Sequence, residues 1–195
     1  MAITPERRPR HLAAVLAAAC AVAAASAAPA ANAAPAALTS TAGVPHDTPR
    51  LTGAQRAVLL EATRRFRDVK KAIEAGYLPT KDCVPGMGFH YGKPALAEDT
   101  TIDPTLPEML VYTPAAGGTV RLAALEYFRA DADQNLKTDG DRPTLFGRPF
   151  DGPMAGHPVP PGRPPMPVHY DLHVWLYQNN RNGELAPANP DVDCR

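Results

Sequence analysis

The run Met166-Pro-Val-His-Tyr-Asp-Leu-His-Val-Trp-Leu-Tyr177 gathers two of the chain's six histidines, its single tryptophan and an aspartate. Imidazole nitrogen and carboxylate oxygen are ligands that zinc, copper and iron take from proteins. Two histidines four apart would stack on one face of a helix. The neighbouring residues point to a strand instead. Pro165 and Pro167 precede the run, Val174, Trp175 and the tyrosines favour strands, and Asn179-Asn-Arg-Asn-Gly183 closes it with turn residues. On a strand, alternate residues share a face. His169, Asp171, His173, Trp175 and Tyr177 are therefore expected on one side, and Tyr170, Leu172, Val174 and Leu176 on the other. At roughly 3.3 Å per residue the two histidine Cα atoms stand about 13 Å apart, near the limit for two imidazoles meeting at one ion.

Other segments offer further ligands. Asp82-Cys-Val-Pro-Gly-Met-Gly-Phe-His-Tyr91 brackets Met87 with two glycines, which suggests a tight backbone path presenting His90. Met109–Thr113 and Thr119–Phe128 read as a hairpin across Pro114-Ala-Ala-Gly-Gly118. In its second strand Glu126 shares parity with Val120, Leu122, Ala124 and Phe128, placing a carboxylate in an apolar pattern. A buried carboxylate needs a partner. Histidine, tyrosine, a metal, or an arginine such as Arg121 or Arg148 would each serve. Pro143–His157 is punctuated by glycine and proline and delivers a further imidazole, His157, for which simple turn geometry is the preferred account. Asp131-Ala-Asp-Gln-Asn-Leu-Lys-Thr-Asp139 lacks the glycine and the terminal glutamate of a calcium loop and reads as a polar excursion.

These segments must be positioned by a scaffold smaller than the 195-residue chain. Arg7, Arg8 and Arg10, an alanine-rich apolar stretch, and Ala31-Asn-Ala33 compose a secretory signal peptide over residues 1–33. Ala17 stands where lipid attachment at Cys20 would want a larger aliphatic residue. Residues 34–49, rich in Ala, Pro, Ser and Thr, read as a disordered linker. One globular domain remains, residues 50–195. Subtracting Arg7, Arg8, Arg10 and Glu6 from 20 cationic and 20 anionic residues leaves a net charge of about −2, which disfavours nucleic acid as a partner. No later stretch has the length for stable membrane insertion. Thr52-Gly-Ala-Gln55 is a capping box opening a helix whose Val58, Ala62, Phe66, Val69 and Ile73 form an apolar stripe ending at Gly76. After that, prolines restrict the chain to short elements. Cys83 and Cys194 are the only cysteines of the mature chain, and an exported protein is expected to pair them.

The expected fold is α+β and mainly β: an N-terminal amphipathic helix packed on a small antiparallel sheet or partly closed barrel, with long Pro/Gly-rich loops. The expected metal ligands are His90, Glu126, His169 and His173, with His157, Asp171, Trp175 and Tyr177 around them. The ion is expected to be a divalent transition metal, zinc or copper first. No phosphate-binding glycine loop occurs, the domain offers no serine nucleophile, and both cysteines are committed to a disulfide. The function expected is metal binding by a secreted, extracytoplasmic protein. Its rivals are a metal-dependent enzyme, with a small-molecule ligand at an open coordination position, and a cell-envelope module without metal. Gly86-Met-Gly-Phe-His-Tyr91, Leu125-Glu-Tyr127, Phe150-Asp-Gly-Pro-Met154 with Gly156-His157, and Pro167-Val-His-Tyr-Asp-Leu-His-Val-Trp175 resemble an uncharacterised group of secreted bacterial proteins. That resemblance covers most of the chain after Leu51 and implies export. Three histidines and a glutamate on a β scaffold are loosely similar to the metal set of cupins, although cupins place H-x-H before the glutamate.

Overall fold

The computed structural model describes residues 50–157 and 165–195. The expected signal peptide, the linker and most of the proline-dense segment lie outside the described residues. In chain order the elements are α1 Gly53–Thr63, a 3-10 turn Arg64–Arg67, α2 Val69–Glu74, β1 Leu78–Pro79, β2 Phe89–Gly92, α3 Pro94–Ala97, β3 Met109–Ala115, β4 Thr119–Ala130, β5 Thr144–Leu145, β6 Arg148–Pro149, β7 Asp151–Met154 and β8 His169–Val174. Six strands form one antiparallel sheet in the order β1-β2-β3-β4-β8-β7, and β5 pairs with β6 separately. The sheet is open, with β1 and β7 at its edges, rather than a partly closed barrel. Among the described residues no helix is long and apolar enough to cross a membrane.

The expected capping box forms: Gln55 N–H donates to the Thr52 hydroxyl at 3.2 Å and Thr52 N–H to the Gln55 side chain at 2.8 Å. The single long helix does not. The Thr63 hydroxyl donates back to the Leu59 carbonyl at 2.6 Å, the chain tightens into the 3-10 turn, and Asp68 caps a new helix by accepting from Lys70 N–H at 3.0 Å. Each break resets the angular phase of the side chains. Val58 and Ile73 from the expected stripe are therefore exposed, at 44% and 49%, while Leu59, Thr63, Phe66 and Ala72 are buried. Leu59, Phe66 and Ala72, with Leu51, join the main core under one sheet face, made of Leu110, Tyr112, Leu122, Leu125, Tyr127, Tyr170, Leu172 and Val174. Buried tyrosines are satisfied there. Tyr112 donates to the Phe66 carbonyl at 2.5 Å and Tyr77 to the Pro107 carbonyl at 2.8 Å.

The other sheet face carries a smaller cluster of Val111, Ala123, Ala124, Trp175 and Val192. The hairpin contains a bulge. Val111 pairs with Ala124 and Tyr112 with Leu122, so Ala123 has no partner and alternation slips by one residue. Leu122 consequently packs in the main core, on the face opposite Glu126, although two-residue periodicity put them together. The Cys83–Cys194 disulfide forms as expected and ties the C-terminus to the loop entering β2. Asp131 is buried, and its carboxylate accepts backbone N–H groups from Asp133 and Asn135 at 3.3 and 3.0 Å. The acidic run thus folds onto its own backbone.

Glu108, just before β3, is 1% exposed and its carboxylate accepts the Phe128 N–H at 3.1 Å. Burial pushes its carboxyl up from 4.5 to about 8, against the lowering effect of its backbone hydrogen bonds. Between those two values the folded state retains a proton that the unfolded state has lost. Stability is therefore expected to fall as pH rises through that window, by about 1.4 kcal/mol per pH unit at the steepest. Denaturant titrations of the parent and Glu108→Gln at pH 5 and 8 check this. The variant's stability relative to the parent should rise with pH, and a constant difference would contradict the linkage.

Candidate metal centre

Strand pairing and a tight glycine turn bring three candidate ligands to the second sheet face. Glu126 on β4 pairs directly with His173 on β8, so the two side chains stand side by side. His90 comes from β2, which is separated from β4 by β3 and hence by about 10 Å between strands. It reaches across β3, where its register partner Val111 in turn pairs with Ala124, two residues before Glu126. The approach of β2 depends on Gly88, at φ +100°. A Cβ there would lie 2.4 Å from the Tyr112 carbonyl oxygen, so only glycine allows the close crossing. Gly86, at φ +80°, exchanges backbone bonds with the C-terminal segment: its N–H donates to Val192 and its carbonyl accepts from Asn189.

The outcome is a three-residue group of His90, Glu126 and His173, with one ligand atom from each lying within 4.8 Å of the others. His90 Nε2 is 3.2 Å and His173 Nε2 3.6 Å from Glu126 Oε2. For metal–ligand bonds of about 2.0–2.1 Å, a tetrahedral site has ligand–ligand edges of about 3.3–3.4 Å. The observed spacings straddle that edge. His173 and Glu126 side chains are 1% and 6% exposed and His90 14%, so the group opens toward solvent on the His90 side.

Polar satisfaction within this group is incomplete. Both ring nitrogens of His173, Glu126 Oε2 and Asp171 Oδ1 are buried and make no hydrogen bond. Buried polar groups are normally paired, because leaving one unpaired costs on the order of 1–3 kcal/mol. Asp171 Oδ1 faces His173 Nδ1 at 3.8 Å, longer than a hydrogen bond but on the side from which carboxylates orient metal-bound imidazoles. For His173, burial lowers the pKa, but the Glu126 and Asp171 carboxylates outweigh it and the net shift is upward. His90 moves the other way, since burial lowers its pKa and Glu126 only partly compensates. The sequence-suggested arginine partners do not serve Glu126: Arg121 donates to Thr113 and Gln178 at 3.4 Å, and Arg148 lies in β6.

The remaining expected residues divide. Trp175 stacks on the His173 ring at 6.4 Å and 16°, with its indole N–H held by the Ala186 carbonyl at 2.8 Å. Tyr177 was expected beside it but packs against the main core and meets the Thr63 hydroxyl at 2.8 Å, because β8 ends at Val174 and the alternation stops. His169 shares the face of His173 yet stands outside the three-residue group. It lies against Phe128 at 5.0 Å and His157 at 5.6 Å between ring centroids, at the far end of the strand. His157 is exposed and belongs with His169 rather than with Glu126. Sequence reasoning missed Asp151. It pairs with Asp171 across β7 and β8, and burial followed by the Asp171 charge raises its pKa. The proline and glycine around it hid the strand.

The fold and this group define an open antiparallel sheet bearing a buried two-histidine, one-carboxylate centre. Comparison with family models, curated proteins and solved structures returned no match.

Proposed function

We propose that this protein is an exported metal protein in which His90, Glu126 and His173 hold one divalent transition ion, zinc before copper. The carrying observation is that His173 Nε2 and Glu126 Oε2 are buried, unbonded and spaced as two ligands of one ion. Charge agrees. Glu126 and Asp171 are both buried beside His173 with no Lys or Arg ion pair among the described residues, and a dication would balance them. Zinc is preferred because His₂Glu suits its tetrahedral chemistry, whereas copper(II) favours a tetragonal arrangement. The leader-like N-terminus and the disulfide support the exported reading.

Titration with Zn(II) should give one tight equivalent in the parent, and Glu126→Gln should weaken it at least tenfold without altering the circular dichroism of the apoprotein. Equal affinity in both, or no uptake by the parent, would overturn the assignment. A metal-dependent enzyme is the second reading. Three protein ligands leave a coordination position, and the exposed edge of His90 gives a small molecule or water a route to it. In that reading Glu126 is a ligand and Asp171 faces His173, so neither is free as the base.

A further inference from the structure

His169 and His157 remain outside the triad, and the geometry points to a second, soft metal site built on them. We propose that His157, His169, Met154 and Met166 bind copper(I), independently of the His90–Glu126–His173 centre. His169 is 1% exposed and its Nδ1 lies 3.0 Å from the Pro167 carbonyl. A carbonyl only accepts, so Nδ1 carries the hydrogen and, in the neutral ring, Nε2 carries the lone pair. Backbone fixation of this kind is how a ligating imidazole is commonly oriented.

The second imidazole stands close by. The His157 and His169 ring centroids are 5.6 Å apart, nearer than the 6.2 Å between His90 and His173. Two methionines belong to the same short segments. Met154 is the register partner of His169 across β7 and β8, so its side chain starts on the same face. Met166 is pressed against Gly156, whose added Cβ would lie 1.9 Å from the Met166 carbonyl oxygen and 3.1 Å from its Cβ. That contact brings the backbone beside His157 against the backbone leading into His169. Met154 and Met166 are both half-buried. Imidazole with thioether is a soft donor set, and thioethers select copper(I) over zinc. The triad, with a carboxylate and no sulfur, is the harder site. The chain would then hold two ions of different character about one strand length apart along β8.

The test is competition for Cu(I) against bicinchoninate in ascorbate, with Zn(II) supplied to fill the triad and the disulfide checked by thiol assay. The parent is expected to bind one Cu(I). His157→Ala, at an exposed position, and Met154→Leu are each expected to weaken it tenfold or more while retaining the zinc equivalent. Glu126→Gln is expected to bind zinc at least tenfold more weakly and keep Cu(I), so failure of the triad and failure of this site are distinguishable. X-ray absorption of the copper form should show a sulfur scatterer at about 2.3 Å that Met154→Leu, Met166→Leu removes. No Cu(I) uptake, unchanged affinity in His157→Ala, a sulfur-free copper shell, or loss of Cu(I) with Glu126→Gln would each overturn the proposal.

Discussion

His173→Ala should abolish stoichiometric zinc binding, the largest functional effect expected of any single change in this chain. His173 is the member fixed on every side. Glu126 is its strand partner, Asp171 Oδ1 faces its Nδ1 at 3.8 Å, and Trp175 stacks behind the ring. Removing the imidazole leaves one histidine and one carboxylate, too few for a tight tetrahedral site. It also leaves two buried carboxylates without the ion that balances them, so the variant should lose the metal-dependent rise in melting temperature. Leu172→Val changes the opposite face, within the main core, and should bind zinc as the parent does. Asp171→Asn should lie between, with affinity reduced about 10- to 100-fold, as for other carboxylates that orient ligating histidines. Calorimetric titration with Zn(II) at neutral pH reads all three. Full affinity in His173→Ala would remove the centre described here.

The largest expected loss of stability comes from the disulfide. Cys83 and Cys194 close a loop with a sequence separation of 111. In the chain-entropy model a closure of that size stabilises the fold by about 4–5 kcal/mol, because the unfolded ensemble loses the freedom of the whole loop. Natural domains have total stabilities of about 5–15 kcal/mol, so Cys83→Ser, Cys194→Ser should leave the domain near its folding threshold. The same bond lies beside the backbone links of Gly86 to Asn189 and Val192, which anchor the turn before His90. The double variant should therefore also bind zinc more weakly, and more so than its stability alone explains at temperatures where it is folded. Urea unfolding of the two proteins gives the comparison. A difference under about 1 kcal/mol would show that the closed loop contributes little beyond what the sheet already fixes.

The local pattern in the sequence determined a great deal. The strand at His169–Val174 and the faces of His169, Asp171 and His173 follow from period-2 alternation, which a strand imposes residue by residue. The β3–β4 hairpin was legible in its strand formers and its Gly-Gly turn, and the disulfide in the two cysteines that follow the expected signal peptide. The turn presenting His90 was legible in its two glycines.

Only the tertiary structure decided which of these residues meet. The bulge at Ala123 moved Leu122 off the face of Glu126, since one unpaired residue inverts all parity beyond it. The breaks flanking the 3-10 turn changed the buried stripe of the helical region, for the same reason at a different period. His90 reaches Glu126 only because β3 places the two strands either side of it, a pairing between segments 36 positions apart that no local signal encodes. His169 and His173 look equivalent in H-x-D-x-H. The sheet separates them, because β4 offers Glu126 opposite His173 and only the methyl of Ala130 opposite His169. Residue type and spacing thus supplied the candidate ligands and their faces, while the order and register of the strands determined which imidazoles share a carboxylate.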